Sequence, residues 1–271
     1  MFKRKINITR INKSNKEEIV DVILYESAID IFVNSKPLVN IICLPNNLKE
    51  LAVGFLFSIG IINSINDLEV IDVNELEYSI NVKLSENLEF DIEKLDLNSV
   101  SRVIDTTCGI PSPWRNIIKR KLDEATFNNP IKSKTDIKLN SNLIFSAIKK
   151  MQKSTPLYRE TGGCHGAAMF DFEGNLISSM EDIGRHNAID KVIGDMILKE
   201  TPIKNMFLTS TGRLTGDSVL KAIRAKIPIV ASLSAAIESG IKLAFAYGIT
   251  LIGFARGSRM NIYTHPERIE I

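Results

Sequence analysis

The sequence predicts an α/β protein in two units: a smaller α+β unit at the N-terminus and a layered α/β unit at the C-terminus. Three observations lead there. From Leu143 onward, apolar strands alternate with amphipathic helical stretches, the pattern of a sheet covered by helices. Before that, alternating strand-like runs surround one helical stretch. Between the two, Asp123 to Lys138 is polar and contains Asn128-Asn129-Pro130, which reads as a connector. The expected units are therefore 1–125 and 135–271.

In chain order, Ile19–Tyr25, Ile29–Val33 and Leu38–Leu44 read as strands. Pro45-Asn46-Asn47 leads into a helix, with Leu48, Leu51, Ala52, Phe55, Leu56 and Ile59 at helical spacing and Gly60 as the stop. Leu68–Leu84 reads as paired strands around Asn74-Glu75. In 101–116, Gly109, Pro111, Ser112 and Pro113 disfavour regular structure. Leu143–Met151 reads as a helix, and Ala167–Phe172 with Leu176–Met180 as a hairpin around Glu173-Gly174-Asn175. Ile189, Val192, Ile193, Met196 and Ile197 then form an apolar stripe, which would leave Arg185, His186, Asn187, Asp190 and Lys191 on the polar face or the first turn. Strands at Phe207–Ser210, Ile227–Leu233, Ile249–Ala255 and Asn261–Thr264, with helices at Asp217–Ala225 and Ala235–Ala246, complete a unit with a mostly parallel core.

At 271 residues, 44% hydrophobic and 24% charged, the chain can bury a large core. A net charge of +2 does not call for nucleic acid as a partner. Cys43, Cys108 and Cys164 are odd in number and widely spaced, which argues for a reducing compartment rather than a disulfide framework. The basic N-terminus lacks an apolar segment and no run suits a membrane span, so a cytoplasmic protein is expected.

The residues with chemical potential lie in two places. Thr161 to Lys191 holds His165 and His186, two of the three histidines, and places Arg185 and His186 at a helix start, where free N–H groups favour an anion. The other place is the carboxyl ends of three strands, where open α/β sheets bind ligands. These ends read Thr209-Ser210-Thr211-Gly212-Arg213, Ala231-Ser232-Leu233-Ser234 and Phe254-Ala255-Arg256-Gly257-Ser258-Arg259. Small hydroxyl residues, glycines that admit close backbone approach and arginines suit a phosphorylated, nucleotide-like ligand.

Neither a GxxxxGK[ST] loop nor a GxGxxG turn is present. Zinc is disfavoured, because Cys164 and His165 are adjacent and no CxxC pair completes a tetrahedral set; no metal is expected. Cys43 reads as a core cysteine and His265 as a surface residue. Cys108, in an irregular loop with Arg102 and Arg115 nearby in sequence, could be an activated thiolate or an inert loop cysteine.

Four segments, TGGCHGAAMFD, EDIGRHNAIDKVIG, STGR and GFARGSRMNIYTHPERI, occur in one order. Through them the chain resembles the formate dehydrogenase accessory proteins, sulfurtransferases for the molybdenum cofactor. The resemblance implies a three-layer α/β/α, cytidine-deaminase-like C-terminal domain without zinc, and a homodimer. It implies transfer of persulfide sulfur from a cysteine desulfurase to Mo-bis(molybdopterin guanine dinucleotide), the bound substrate, for formate dehydrogenase. Cys108 matches the family's persulfide cysteine and Phe254–Arg259 its cofactor-contacting segment. Ser210, Gly212, Arg213, Arg185, His186, Asn187 and His165 are the further candidates for cofactor binding. Pro111 stands where the family loop usually has a second cysteine. A cofactor-delivering chaperone without sulfur transfer is the alternative.

Overall fold

The structure, a computed structural model, describes residues 2–88, 103–104, 109–110, 114–116, 119, 137–203 and 205–271. Most of the connector expected at 123–138 lies outside them, as does Cys108.

The first two strands, β1 (Lys3–Asn12) and β2 (Asn15–Leu24), form an antiparallel ribbon of their own. Next come β3 (Ser27–Val33), β4 (Lys36–Cys43), β5 (Leu68–Asn74), β6 (Ser79–Leu84) and β7 (Val103–Ile104). They make a five-stranded sheet in the order β5-β6-β3-β4-β7. Its strands alternate as a half-buried sheet should: Ile29, Ile31 and Val33 are buried, while Ala28 and Asp30 are exposed. Helix α1 (Leu48–Ser58) packs against this sheet and ends at Gly60, whose φ of 80° suits the residue without a Cβ. Trp114–Asn116, expected to be irregular, is a helical turn with Trp114 buried beside Phe55.

The C-terminal sheet has six strands: β9 (His165–Asp171), β10 (Leu176–Asp182), β11 (Met206–Ser210), β12 (Ile229–Ser232), β13 (Thr250–Arg256) and β14 (Arg259–Thr264). The order is β10-β9-β11-β12-β13-β14. Only β11, β12 and β13 run parallel, so the expected mostly parallel core is a mixed sheet. Short turns at Gly174 and Gly257, with φ of 82° and 63°, fold β10 and β14 back as hairpin partners, and hairpins can only be antiparallel. A small parallel pair, β8 (Leu139–Asn140) with β15 (Ile269–Glu270), brings the end of the described chain to the start of α2 (Ser141–Ser154).

Helix α2 covers one face of the sheet. Its Ile144, Ala147, Ile148 and Met151 pack with Ala168, Phe170, Phe207, Ile229 and Ile252. The other face, through Ala167, Met169, Leu208, Val230 and Leu251, meets α4 (Arg185–Leu198) and α5 (Gly216–Arg224). Two further short helices are α3 (Pro156–Thr161) and α6 (Glu238–Ala246), and α6 begins later than the expected Ala235.

Helix α4 departs most from expectation. Its supposed polar face is buried: His186, Asn187, Asp190, Lys191 and Asp195 are all inside. The cause is α1, which lies across the side of α4 that faces away from the sheet. The helices meet backbone to backbone. A Cβ on Gly54 would fall 1.8 Å from the Asp190 carbonyl oxygen, and one on Gly194 would fall 1.9 Å from that of Glu50. The enclosed charges are paired. Lys191 Nζ lies 2.7 Å from Asp182 Oδ2, and Lys221 Nζ 2.7 Å from Asp190 Oδ2. Ser58 adds a donor to Asp190 at 2.6 Å. One hydrophobic cluster runs from Ile29 and Leu51 through Ile193 to Leu251, so the two sheets share a core across α1 and α4.

Candidate functional site

Because β11, β12 and β13 are parallel, their carboxyl ends share one edge of the sheet. A cavity of about 430 Å³ lies there, against α2. The strand ends contribute Thr211, Leu233, Ser234, Ala255, Arg256 and Gly257. The convergence of three loops expected from the sequence is thus present. The opposite wall is Phe145, Ile148, Lys149 and Gln152 of α2 with Tyr158 of α3. Sequence reasoning missed that wall. The available signal was a second stripe on α2, at i, i+3, i+4 and i+7 from Phe145, beside its core-facing stripe.

The serine hydroxyls hold the loops to one another. Gly212 N donates to Ser210 Oγ at 3.1 Å, and Ser232 Oγ donates to the Gly212 carbonyl at 2.6 Å. Ser234 Oγ donates to the Thr211 carbonyl at 2.7 Å. With these hydroxyls engaged inside the frame, Lys149, Gln152, Tyr158 and Arg256 are the long polar side chains left to line the cavity. Arg213, Ser258 and Arg259 are exposed, and neither they nor Phe254, Ser210 and Gly212 line the cavity. Phe254 has φ of 51°, a left-handed conformation that a bulky residue adopts only under constraint. Its N–H donates to the Ser234 carbonyl at 2.9 Å, and its ring sits 5.4 Å from the Arg256 guanidinium carbon. β13 loses register with β14 between Gly253 and Arg256, the stretch that holds Phe254.

The start of α4 lies beside this edge. His165 Nδ1 is 3.1 Å from Thr211 Oγ1, which also accepts from Gly166 N at 3.1 Å. Burial, and then the positive charge of Arg185, hold the His165 imidazole below its ordinary value. Gly212 packs on the Arg185 stem, where a Cβ would come within 2.7 Å of Arg185 Cβ. Asn187 does not reach the cavity; its amide donates to the Ile42 carbonyl and to Asp182 Oδ1, both at 3.0 Å. His186 does not line the cavity either; it is buried, with Nε2 3.1 Å from Thr215 Oγ1.

Of the segment carrying Cys108, the described residues are Gly109, Ile110, Trp114, Arg115, Asn116 and Lys119. Gly109 and Ile110 are buried against His186 and Asp217, and Ile110 N donates to Asp217 Oδ2 at 3.3 Å. Cys43 is wholly buried, as expected of a core cysteine. Cys164 is also buried, with Sγ 3.8 Å from Glu181 Oε1. Burial and the neighbouring carboxylates push its thiol up to about 12, which makes it a poor second thiol for exchange. His265, expected at the surface, is half-buried and stacks on Phe245. No cluster of three or more metal-ligating side chains occurs among the described residues.

Known proteins share this sequence and fold. The family model described as FdhD/NarQ family matches residues 24–270. The chain belongs to the FdhD/NarQ family. Among curated relatives, the sulfur carrier protein FdhD of Sulfolobus acidocaldarius is 36% identical over 274 residues, covering 99% of each chain. That of Bacillus pumilus is 32% identical over 249 residues, covering 92% of this chain and 90% of its own. Among solved structures, a formate dehydrogenase accessory protein from Desulfotalea psychrophila matches the whole of both chains with a TM-score of 0.75 and 27% identity. The resemblance seen in the sequence is therefore confirmed. No helix among the described residues is long and apolar enough to cross a membrane.

Proposed function

We propose that this chain is a sulfur carrier serving formate dehydrogenase, a sulfurtransferase that moves persulfide sulfur from a cysteine desulfurase to Mo-bis(molybdopterin guanine dinucleotide) through Cys108. The curated relatives carry the name sulfur carrier protein over nearly the full chain. The observation that carries the cofactor half of this reading is the cavity at the parallel strand ends. It pairs two cations, Lys149 and Arg256, with the aromatic walls Phe145 and Tyr158. Cations suit the phosphates of a guanine nucleotide arm, and aromatic faces suit its base. In this reading Phe254–Arg259 shapes the cofactor site, with Arg213 at its margin, and Arg185 and His165 adjoin it from the start of α4. The same reading takes the C-terminal unit as a deaminase-like three-layer domain, consistent with helices on either face of its sheet, and the working protein as a cytoplasmic homodimer.

Pro111 motivates a second reading, in which the chain holds and delivers the cofactor without carrying sulfur. A single thiolate nevertheless suffices to attack one sulfur donor. The deciding experiment is the intact mass of the protein after incubation with a cysteine desulfurase and free cysteine. A gain of sulfur that a reducing thiol reverses and Cys108→Ala abolishes supports the carrier. No gain with several desulfurases leaves the cofactor chaperone.

A further inference from the structure

Helix α3 is held from outside at its first turn. Thr155 stands at its N-cap, but the Thr155 hydroxyl donates back to the Met151 carbonyl of α2 at 2.9 Å and does not cap α3. Pro156, at the first helical position, has no N–H to satisfy. The Arg159 N–H donates to the Thr155 carbonyl at 3.3 Å. Two donors of the first turn are left, the N–H groups of Leu157 and Tyr158. Both go to one carboxylate: Leu157 N donates to Glu181 Oε2 at 3.2 Å and Tyr158 N to Glu181 Oε1 at 2.7 Å. Each oxygen takes one donor, so orientation is fixed as well as position. Glu181 belongs to β10; it is 8% exposed and does not line the cavity.

A helix of six residues does not hold its shape by its own hydrogen bonds. Its far end is closed locally, where Gly162, with φ of 64°, donates to the Tyr158 carbonyl at 3.0 Å. Its near end depends on Glu181, 23 residues along the chain from Tyr158. Tyr158 is thus gripped at its N–H by the sheet and at its carbonyl by the turn, and its side chain is a wall of the cavity. The register of the sheet prepares this contact. Glu181 pairs with Gly166 of β9, where a Cβ would come within 2.5 Å of Thr155 Cγ2. Glycine there lets Thr155 lie close on the sheet, which brings the start of α3 within reach of Glu181. Burial raises the pKa of the carboxyl, and the N–H groups of Tyr158 and Leu157 pull it back. The positive end of the helix also favours the charged form, which is the form that accepts from both donors.

We propose that Glu181 is a positioning residue of the cofactor cavity, holding α3 by the N–H groups of Leu157 and Tyr158 so that the Tyr158 ring is set for the base of a bound guanine nucleotide arm. This rests on the reading of the cavity as a nucleotide site. Glu181 touches no ligand; it acts through Tyr158. An aromatic wall contributes most when its freedom is already lost before the ligand arrives, because ordering it on binding subtracts from affinity. The two cations of the cavity, Lys149 and Arg256, stand on α2 and β13 and are held independently of Glu181. Glu181 therefore bears on the base and not on the phosphates.

The test is calorimetric binding of guanosine diphosphate, and of inorganic pyrophosphate as a probe without a base, to the full chain. The proteins are the wild type, Glu181→Gln, Tyr158→Ala and the double variant. Glutamine keeps the shape and one acceptor but turns an N–H toward the other donor of α3. Glu181→Gln is expected to weaken guanosine diphosphate about fivefold and to leave pyrophosphate unchanged. Tyr158→Ala is expected to weaken guanosine diphosphate about tenfold. The double variant is expected to bind no more weakly than Tyr158→Ala alone, since a residue that acts through Tyr158 then has nothing left to position. Unchanged guanosine diphosphate affinity in Glu181→Gln overturns the proposal, as do equal losses for the two probes. A double variant weakened by the product of the single effects, about fiftyfold, overturns it too. If Glu181→Gln does not fold, Glu181→Asp, which keeps the charge on a shorter arm, is read by the same cycle. Failure of the nucleotide reading shows separately: a wild type that binds neither probe overturns that reading and the role of Glu181 with it.

Discussion

Arg115 grips Asp217 with two parallel hydrogen bonds, Nε to Oδ1 at 2.6 Å and Nη2 to Oδ2 at 2.8 Å. The same Nη2 donates to the Ile110 carbonyl at 3.0 Å, and Ile110 N donates back to Asp217. One carboxylate on the first turn of α5 thereby anchors the segment that follows Cys108 on both sides of Ile110. Charge-assisted, two-point contacts of this kind fix orientation as well as position. Asp217→Asn keeps the shape but removes the charge and one acceptor. It is expected to cost about 1–3 kcal/mol and to make cleavage near residue 110 by a protease faster. Urea unfolding and limited proteolysis measure the two effects; equal rates of cleavage would show that the anchor lies elsewhere.

The crossing of α1 and α4 makes a second, sharper prediction. Gly54 and Gly194 each face a backbone carbonyl that a methyl group would overlap. Backbone cannot step aside as a flexible side chain can, so either Gly→Ala change forces the helices apart. The loss is expected to reach about 3 kcal/mol or more, or to prevent folding. An alanine variant within about 1 kcal/mol of wild type in urea unfolding would mean that the helices are not in backbone contact.

The cavity can be probed with guanosine diphosphate alone. Lys149→Ala and Arg256→Ala are each expected to weaken its binding about tenfold, and to flatten the dependence of affinity on salt. Arg213→Ala, on an exposed side chain that does not line the cavity, is expected to weaken binding less. Calorimetry at two salt concentrations decides. Wild-type affinity in both Lys149→Ala and Arg256→Ala would move the nucleotide site away from this edge of the sheet.

His186 ties stability to acid. Its folded-state pKa is depressed to about 2 from the ordinary 6.5. The folded protein therefore binds this proton far more weakly than the unfolded chain does. The stabilising contribution is full above about pH 6.5 and declines as pH falls toward 2. Between pH 7 and pH 5 the loss from this group is expected to be about 2 kcal/mol. His186→Gln is expected to remove that part of the slope, read from urea unfolding at the two pH values. The same slope in both proteins would place the acid sensitivity on other groups.

Most elements could be read from periodicity, because each packs one face against a single neighbour. Alternation in β3 and the helical stripe of α1 are examples, and the strand-end loops were identifiable from their glycine, hydroxyl and arginine content. Helix α4 could not be read this way. Its Ile189, Val192 and Ile193 stripe was correct, but Asn187, Asp190 and Lys191 were expected at the surface and are buried. Nothing local announces that a second helix will cover them, since their partners Asp182, Ile42, Lys221 and Ser58 come from elsewhere in the chain.

The site divides in the same way. The chain alone determined the family, through four ordered motifs, and the chemistry available at the ends of β11, β12 and β13. Only the tertiary structure decided that α2 and Tyr158 close the cavity, that the serines brace loops, and that Gly109 lies on His186. The physical reason is range. Periodicity and turn chemistry act over a few residues, whereas a cavity wall or a buried ion pair depends on segments that meet only when the core closes.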